Sequence, residues 1–439
     1  MLMTPGLRSI LRTATALAVA GPLLAAAGLA AAPVRAPGVL RAADGVSRPR
    51  LLTPIKAKRP AKTQTSDAPP PKSSELPPRI TYTAAEAIHA AIPGMPDARF
   101  WGDSEADFKA ALPSQPGPWL ILSSGGADGA FGAGLLNGLT AAGKRPDYVV
   151  VTGVSTGALM APFAFAGKKY DEALRKCYTE VTAADVFEAG SSSGESFVNS
   201  WPLRDFIDKQ ITPELMTDIA AAYRSGRRLF VVTSDLDSQR SVVWNMGAIA
   251  AHGGDEAAKL FRKVLLASAS IPGGFPPVLI DAEAGGKRFQ EMHVDGGLGG
   301  QLFVAPASLM ASTSDYRLPA TQLFIVVNTN LQRDFKVVDR FAPMILTQSI
   351  GMAVPVDTSL MIDHAYLLAK RGEVEFNVAS IPATFDFPIK GPFDPSYMKA
   401  LFQVGFDQGT GSTAFAAQPP PPPSGPTPQP SHVQKTGAN

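Results

Sequence analysis

The stretch YVVVTGVSTGALMAPFAF, residues 148–165, decides the fold. It opens on an apolar, β-branched run of strand type and closes on Ala, Leu and Met, which favour helix. Between them stands Gly153-Val154-Ser155-Thr156-Gly157. A G-x-S-x-G element between a strand and a helix puts its serine on a sharp turn, with the hydroxyl exposed above the sheet. Gly153 and Gly157 let the two backbones approach without a Cβ clash. The helix that follows aims its positive end at the serine, where a negative charge would develop. The pattern alone is common. Its strand-to-helix context favours a nucleophile over a structural turn.

Outward from this unit the text alternates. WLILSS (119–124), RLFVVTSD (228–235) and QLFIVVN (322–328) are short apolar runs of the kind buried on both faces of a parallel sheet. Helical patterns lie between and after them. TPELMTDIAAAYRSG (212–226) carries Thr212 as cap, Pro213 in the first turn and Gly226 as stop. EAAKLFRKVLLASAS (256–270) ends before Pro272, and TSLMIDHAYLLAKRG (358–372) ends on Gly372. QRSVVWNMG (239–247) and KRFQEMHVDGG (287–297) read as antiparallel strands at one edge. The alternation predicts an α/β fold with a largely parallel sheet.

The ends differ in composition. Residues 1–32 combine Arg8 and Arg12 with the apolar run ATALAVAGPLLAAAGLAAA (14–32) and a small-residue site at Ala30–Ala32, the pattern of a general, Sec-type export signal. The expected location is therefore the periplasm, the outer membrane or the outside of the cell. Residues 33–94 hold a Pro/Ala-rich linker with APPPKSSELPP (68–78), residues 95–415 the folded domain, and residues 416–439 a Pro-rich tail. The net charge of +2 and the absence of a basic run in the middle argue against nucleic acid. A single cysteine, Cys177, excludes an internal disulfide, and its helical context predicts a buried structural thiol.

Upstream of the serine lies LILSSGGADGAFGAGLLNGL, residues 120–139. A glycine-rich turn between a strand and a helix can cradle phosphate or hold an oxyanion. The spacing Gly129-x-x-Gly132-x-Gly134 departs from G-x-G-x-x-G, and the Gly-Lys-Ser/Thr of a phosphate loop is missing, so no nucleotide is expected. Backbone N–H groups of Gly125, Gly126 and Ala127, ahead of Gly129, suit the oxyanion of an acyl-transfer step. The serine also needs a base. His89 and His432 fall near the linker and in the tail, His252 in a loop and His364 in a helical pattern. HVDGGLGG (293–300) offers Asp295 at a strand end before Gly296 and Gly297, where a carboxylate could take the serine proton directly. His293, two residues earlier, reads as a packed histidine.

Three motifs in order, Ser-Gly-Gly-Ala-Asp-Gly (124–129), Gly-Val-Ser-Thr-Gly (153–157) and Asp-Gly-Gly (295–297), resemble the patatin-like phospholipases. ASASIPGGFPPV (267–278) and TSDLDSQRSVVW (233–244) look like two further family stretches, and the likeness spans roughly 118–410. The resemblance implies a three-layer α/β sandwich, a mostly parallel central sheet flanked by helices, and hydrolysis of lipid acyl esters by a Ser155–Asp295 dyad without histidine or cofactor. With the export-type start, it suggests an exported bacterial member whose partner is a lipid or membrane-surface substrate. Two positions depart from the family loop: Ser124 replaces a glycine, and Asp128 replaces a basic residue that could meet a phosphate. Asp235 and Asp237 are expected to cap a turn, with no metal. Phe131, Phe163 and Phe165 are candidates to line an apolar channel. Two rival readings are a catalytically silent lipid-binding protein of the cell envelope and a scaffold for the proline-rich ends.

Overall fold

The computed structural model describes residues 78–189, 195–332, 337–338, 340 and 342–421. The expected signal peptide (1–32), most of the linker and most of the tail lie outside the described residues. The strands, in chain order, are β1 (Arg99–Trp101), β2 (Gly117–Leu122), β3 (Val150–Val154), β4 (Glu188–Ala189), β5 (Val198–Asn199), β6 (Arg228–Asp235), β7 (Arg240–Asn245), β8 (Val278–Ala284), β9 (Lys287–Asp295), β10 (Ala320–Val327) and β11 (Glu375–Ser380).

The main sheet runs β1-β7-β6-β3-β2-β10-β11, with β8 and β9 attached through β6. The pairs β6/β3, β3/β2, β2/β10 and β10/β11 are parallel, while β1/β7, β7/β6, β6/β9 and β9/β8 are antiparallel. The parallel strands β2, β3, β6 and β10 are the continuous apolar runs of the sequence, as burial on both faces requires, while β11 at the edge mixes polar with apolar residues. Alternate residues of β2 serve opposite layers. Leu120 and Leu122 pack with helices Gly129–Ala141, Thr156–Ala166 and Pro395–Thr410, while Trp119 and Ile121 pack with Phe108, Leu302 and the C-terminal half of helix Ala342–Gly372. The result is the expected three-layer sandwich with a mostly parallel central sheet.

The helix that follows the glycine-rich turn is held against the last helix at backbone contact. A Cβ on Gly134 would fall 2.0 Å from the Phe402 carbonyl oxygen, and one on Gly405 would fall 2.1 Å from that of Phe131. The glycine-rich turn is thus braced from behind.

The ordered chain starts before residue 95. Thr83 and Glu86 form a capping box on helix Ala84–Ile88. Tyr82 stacks on Phe289 of β9, and Ala91 pairs with Glu283 of β8. The reason is apolar: the hairpin β8–β9 turns Ala282, Ala284 and Phe289 outward, and residues 82–90 cover them. Nothing in the proline-rich composition upstream signals this cover. At the other end Ala416 pairs with Val378 of β11, so the sheet is engaged up to the expected tail boundary.

Candidate active site

Strand pairing brings Asp295 to Ser155. β3 runs beside β6 in parallel, and that pairing stops at Val154 opposite Val232. β7 occupies the other edge of β6 through Phe230–Asp235. β9 therefore takes over the edge that β3 vacates, antiparallel, with Asp295 opposite Thr233. The end of β3 and the end of β9 meet at this changeover. Ser155 is the residue after β3, and Asp295 is the last residue of β9.

Ser155 Oγ donates to Asp295 Oδ2 at 2.6 Å. Asp295 Oδ1 accepts the Gly297 N–H at 2.8 Å, and the Asp295 N–H bonds the Ser270 carbonyl at 2.9 Å. Both side chains are buried. Burial pushes the Asp295 carboxyl up to about 6, against the opposing pull of the bonds from Ser155 and Gly297. Such a group is ionised at neutral pH yet more basic than an ordinary carboxylate, which suits a general base.

Ser155 adopts φ 56° and ψ −121°, a strained backbone for a residue with a Cβ. Its N–H donates to Ser268 Oγ at 3.0 Å, and Ser268 in turn donates to the Val232 carbonyl at 2.7 Å. The turn is also set by close approach: a Cβ on Gly157 would lie 2.3 Å from the Leu122 carbonyl oxygen, while Gly153 packs against Gly157. Helix Thr156–Ala166 begins at the serine, as the motif predicts.

The loop Ser123–Asp128 leaves β2 beside this turn. Gly125 has φ 158° and Gly126 φ 56°, and a Cβ on Gly125 would strike the Asn328 backbone. Gly126–Asp128 make one 3₁₀ turn that runs into helix Gly129–Ala141. The first N–H groups of such a turn have no partner within it. Gly126 and Ser155 line the same cavity. Gly129 lies against Thr156 and Gly296 against the Val232 carbonyl, so both glycines serve close packing around the dyad.

The cavity holds about 80 Å³. Leu159, Phe163, Leu203, Ile207, Leu265 and Phe275 are among its walls, and among the described residues no charged side chain lines it. Phe163 lines the channel as expected. Phe131 and Phe165 do not; both are fully buried in the layer between sheet and helices, because they sit on the inward faces of their helices. A largely apolar space of this size beside Ser155 suits an alkyl chain. Cys177 is buried at the same cavity, and burial pushes its thiol up to about 12, against a role as nucleophile.

His293 serves packing. It is fully buried, its Nδ1 lies 2.9 Å from Thr233 Oγ1, and its ring meets Trp244 edge-on. Glu291, bonded to Arg99 and His293, is held down at about 2 despite its burial. Asp235 caps its turn through the N–H groups of Asp237 and Ser238. Among the described residues no group of three or more His, Cys, Asp or Glu side chains gathers as metal ligands.

The two departures from the family loop both have partners. Ser124 Oγ donates to Gln301 Oε1, while Gln301 Nε2 donates to the Gly297 carbonyl at 2.7 Å. The glycine-rich loop and the Asp295 loop are thereby tied together. Asp128 accepts from Tyr397 Oη at 2.7 Å, which anchors the loop to the last helix. Gln301, Asn328, Ser268 and Ser270 all support the site without any motif of their own. Ser268 and Ser270 stand in ASASIPGGFPPV and Asn328 ends QLFIVVN, whereas Gln301 lies in no stretch that the sequence singles out.

The patatin-like phospholipase family model matches residues 120–308, which contain the loop, the serine and the aspartate. This region is similar to the patatin-like phospholipases. VipD from Legionella pneumophila is similar at 12% identity, over 71% of this chain and 69% of that one, with a TM-score of 0.37. The type III effector protein ExoU is similar at 14% identity, over 68% of this chain and 54% of that one, with a TM-score of 0.22. No curated protein matches.

Proposed function

We propose that this patatin-like domain is a serine lipid acyl hydrolase that works through a Ser155–Asp295 dyad and an acyl-enzyme. The observation that carries the reading is the 2.6 Å bond from Ser155 Oγ to Asp295 Oδ2 at the wall of an apolar cavity. Asp295 accepts the hydroxyl proton as Ser155 Oγ bonds to the ester carbonyl carbon. The N–H groups of Gly125, Gly126 and Ala127 hold the oxyanion. The tetrahedral intermediate collapses, the alcohol leaves with the proton from Asp295, and the acyl chain stays on Ser155 inside the cavity. Water then gives its proton to Asp295 and its oxygen to the acyl carbon, and the fatty acid leaves as Ser155 recovers its proton. Carboxylic esters of phospholipids or lysophospholipids, and neutral acyl esters, share this chemistry. Export by the Sec-type leader at residues 1–32 is part of the same proposal.

The test is labelling of the purified protein with a fluorescent fluorophosphonate, beside Ser155→Ala and Asp295→Asn. Labelling of the wild type alone is expected. Equal labelling of Ser155→Ala refutes the nucleophile. Absence of labelling in a folded wild type refutes the hydrolase and leaves a silent lipid-binding protein.

A further inference from the structure

The helix Ala342–Gly372 is two different objects along its length. Its C-terminal half belongs to the core. Ile362, Ala365, Leu368 and Ala369 are fully buried, and the Arg371 guanidinium donates to the carbonyls of Leu309, Ala311 and Tyr316. In its N-terminal half none of the described side chains before Thr358 is buried. From Ala342 to Val356 the sequence APMILTQSIGMAVPV contains no charged residue. Ile345 is 51% exposed and Met352 71%, and Leu346, Ile350 and Val356 are exposed with them. Single exposed apolar side chains are ordinary, but a contiguous set on one charge-free helix marks an interaction site.

The exposed set continues to the cavity mouth. Leu346 and Phe197 approach Gly273 from outside, and the neighbouring Ile271 and Phe275 line the cavity. Phe197 and Ile271 are themselves exposed. An apolar belt therefore leads from the outer helix to the door of the acyl site. Residues 342–356 span roughly 22 Å at the helical rise. That falls short of a bilayer crossing. Among the described residues no helix is long and apolar enough to cross a membrane. With no ionised group to desolvate, such a segment can lie in the interface at the depth of its side chains.

We propose that this half of the helix, with Phe197 and Ile271, is the surface by which the protein docks on a lipid layer. Docking there sets the cavity mouth against the membrane, so that an acyl chain passes from lipid to cavity without crossing water. The proposal rests on the acyl-lipid reading of the site. Because the segment is uncharged, binding draws on buried apolar area and is little affected by salt.

The experiment uses the full chain and phosphatidylcholine vesicles. Flotation is measured with Ser155→Ala, which leaves the vesicles intact, and with Ile345→Glu and Met352→Glu added singly to it. Each glutamate is expected to reduce vesicle partitioning by about tenfold or more, since a buried side chain of this size contributes at least that much. In the Ser155-intact protein, the same two variants are expected to lose hydrolysis of vesicle lipid in proportion and to keep hydrolysis of a soluble short-chain ester. Flotation unchanged by either glutamate overturns the proposal, as does failure of the parent protein to float. So does a dimer that Met352→Glu separates while flotation persists, which would assign the face to a second copy. If flotation behaves as expected but no ester of any kind is cleaved, the hydrolase reading fails and the docking surface stands. If soluble esters are cleaved without flotation, only the docking surface fails.

Discussion

Replacing Asp295 by asparagine is expected to stabilise the protein while it abolishes activity. The folded protein holds this carboxyl near 6, whereas the unfolded chain releases its proton near the ordinary 3.8. That difference corresponds to about 3 kcal/mol against the ionised folded state. Below pH 4 both states keep the proton and nothing is lost. As pH rises from 4 to 6 the unfolded chain deprotonates first, so the wild type loses stability across that window and has lost it fully by pH 8. Asparagine carries no charge at any pH. It can still accept from the Gly297 N–H and can donate to Ser155 Oγ, the two bonds that the aspartate makes. The advantage of the variant is therefore near zero at pH 4 and approaches about 3 kcal/mol at pH 8. Urea unfolding at pH 4, 6 and 8, followed by tryptophan fluorescence, measures it, since Trp119 and Trp244 are fully buried. A variant no more stable than wild type at pH 8, or an advantage that does not grow with pH, refutes the claim that burial of a charge sets this base.

Three further outcomes follow from the same geometry. The rate kcat/KM on a soluble ester is expected to rise through pH about 6 and then level, because Asp295 must be ionised to accept a proton; a pH-rate profile checks it. Gln301→Ala removes the tie from Ser124 to the Gly297 carbonyl and is expected to lower kcat about tenfold with little change in KM, the size of a lost positioning bond. Ile207→Trp fills part of the acyl cavity from helix Trp201–Gln210, and is expected to abolish cleavage of long-chain esters while sparing acetyl esters, at about 1–3 kcal/mol of stability. A chain-length series of esters with wild type and variant decides that case.

The strands β2, β3, β6 and β10 and the placing of Ser155 and Asp295 at strand ends were legible because each is written locally. Continuous Val, Ile and Leu runs mark strands buried on both faces, and Ser155 and Asp295 each stand at a strand end beside glycines. The supports were not legible, because they are long-range pairings of ordinary residues. Ser124 and Gln301 are 177 positions apart and share no pattern. Phe131 and Phe165 illustrate the limit on side-chain direction. Each lies on a helix that is apolar almost all round, so periodicity does not say which face meets the cavity. The covering segment at residues 82–90 escaped notice because only the hairpin it covers, far along the chain, gives it an apolar partner. The long helix was visible only from Thr358 onward, where its burial restores a helical stripe; its charge-free start has none.

The changeover on the edge of β6 also bears on how the chain matures. Serine and base are 140 positions apart and meet only when the β8–β9 hairpin docks. Contacts of such separation close late, since loop entropy is lost before they form. A partly assembled chain with β2, β3 and β6 in place already holds Ser155 and the glycine-rich loop, but Asp295 is not yet beside them. The bond from Ser155 to Asp295 in this way waits on a long-range step. A nascent or arrested intermediate, whose exposed apolar surface would draw it to membranes, meets those lipids with Ser155 not yet bonded to Asp295.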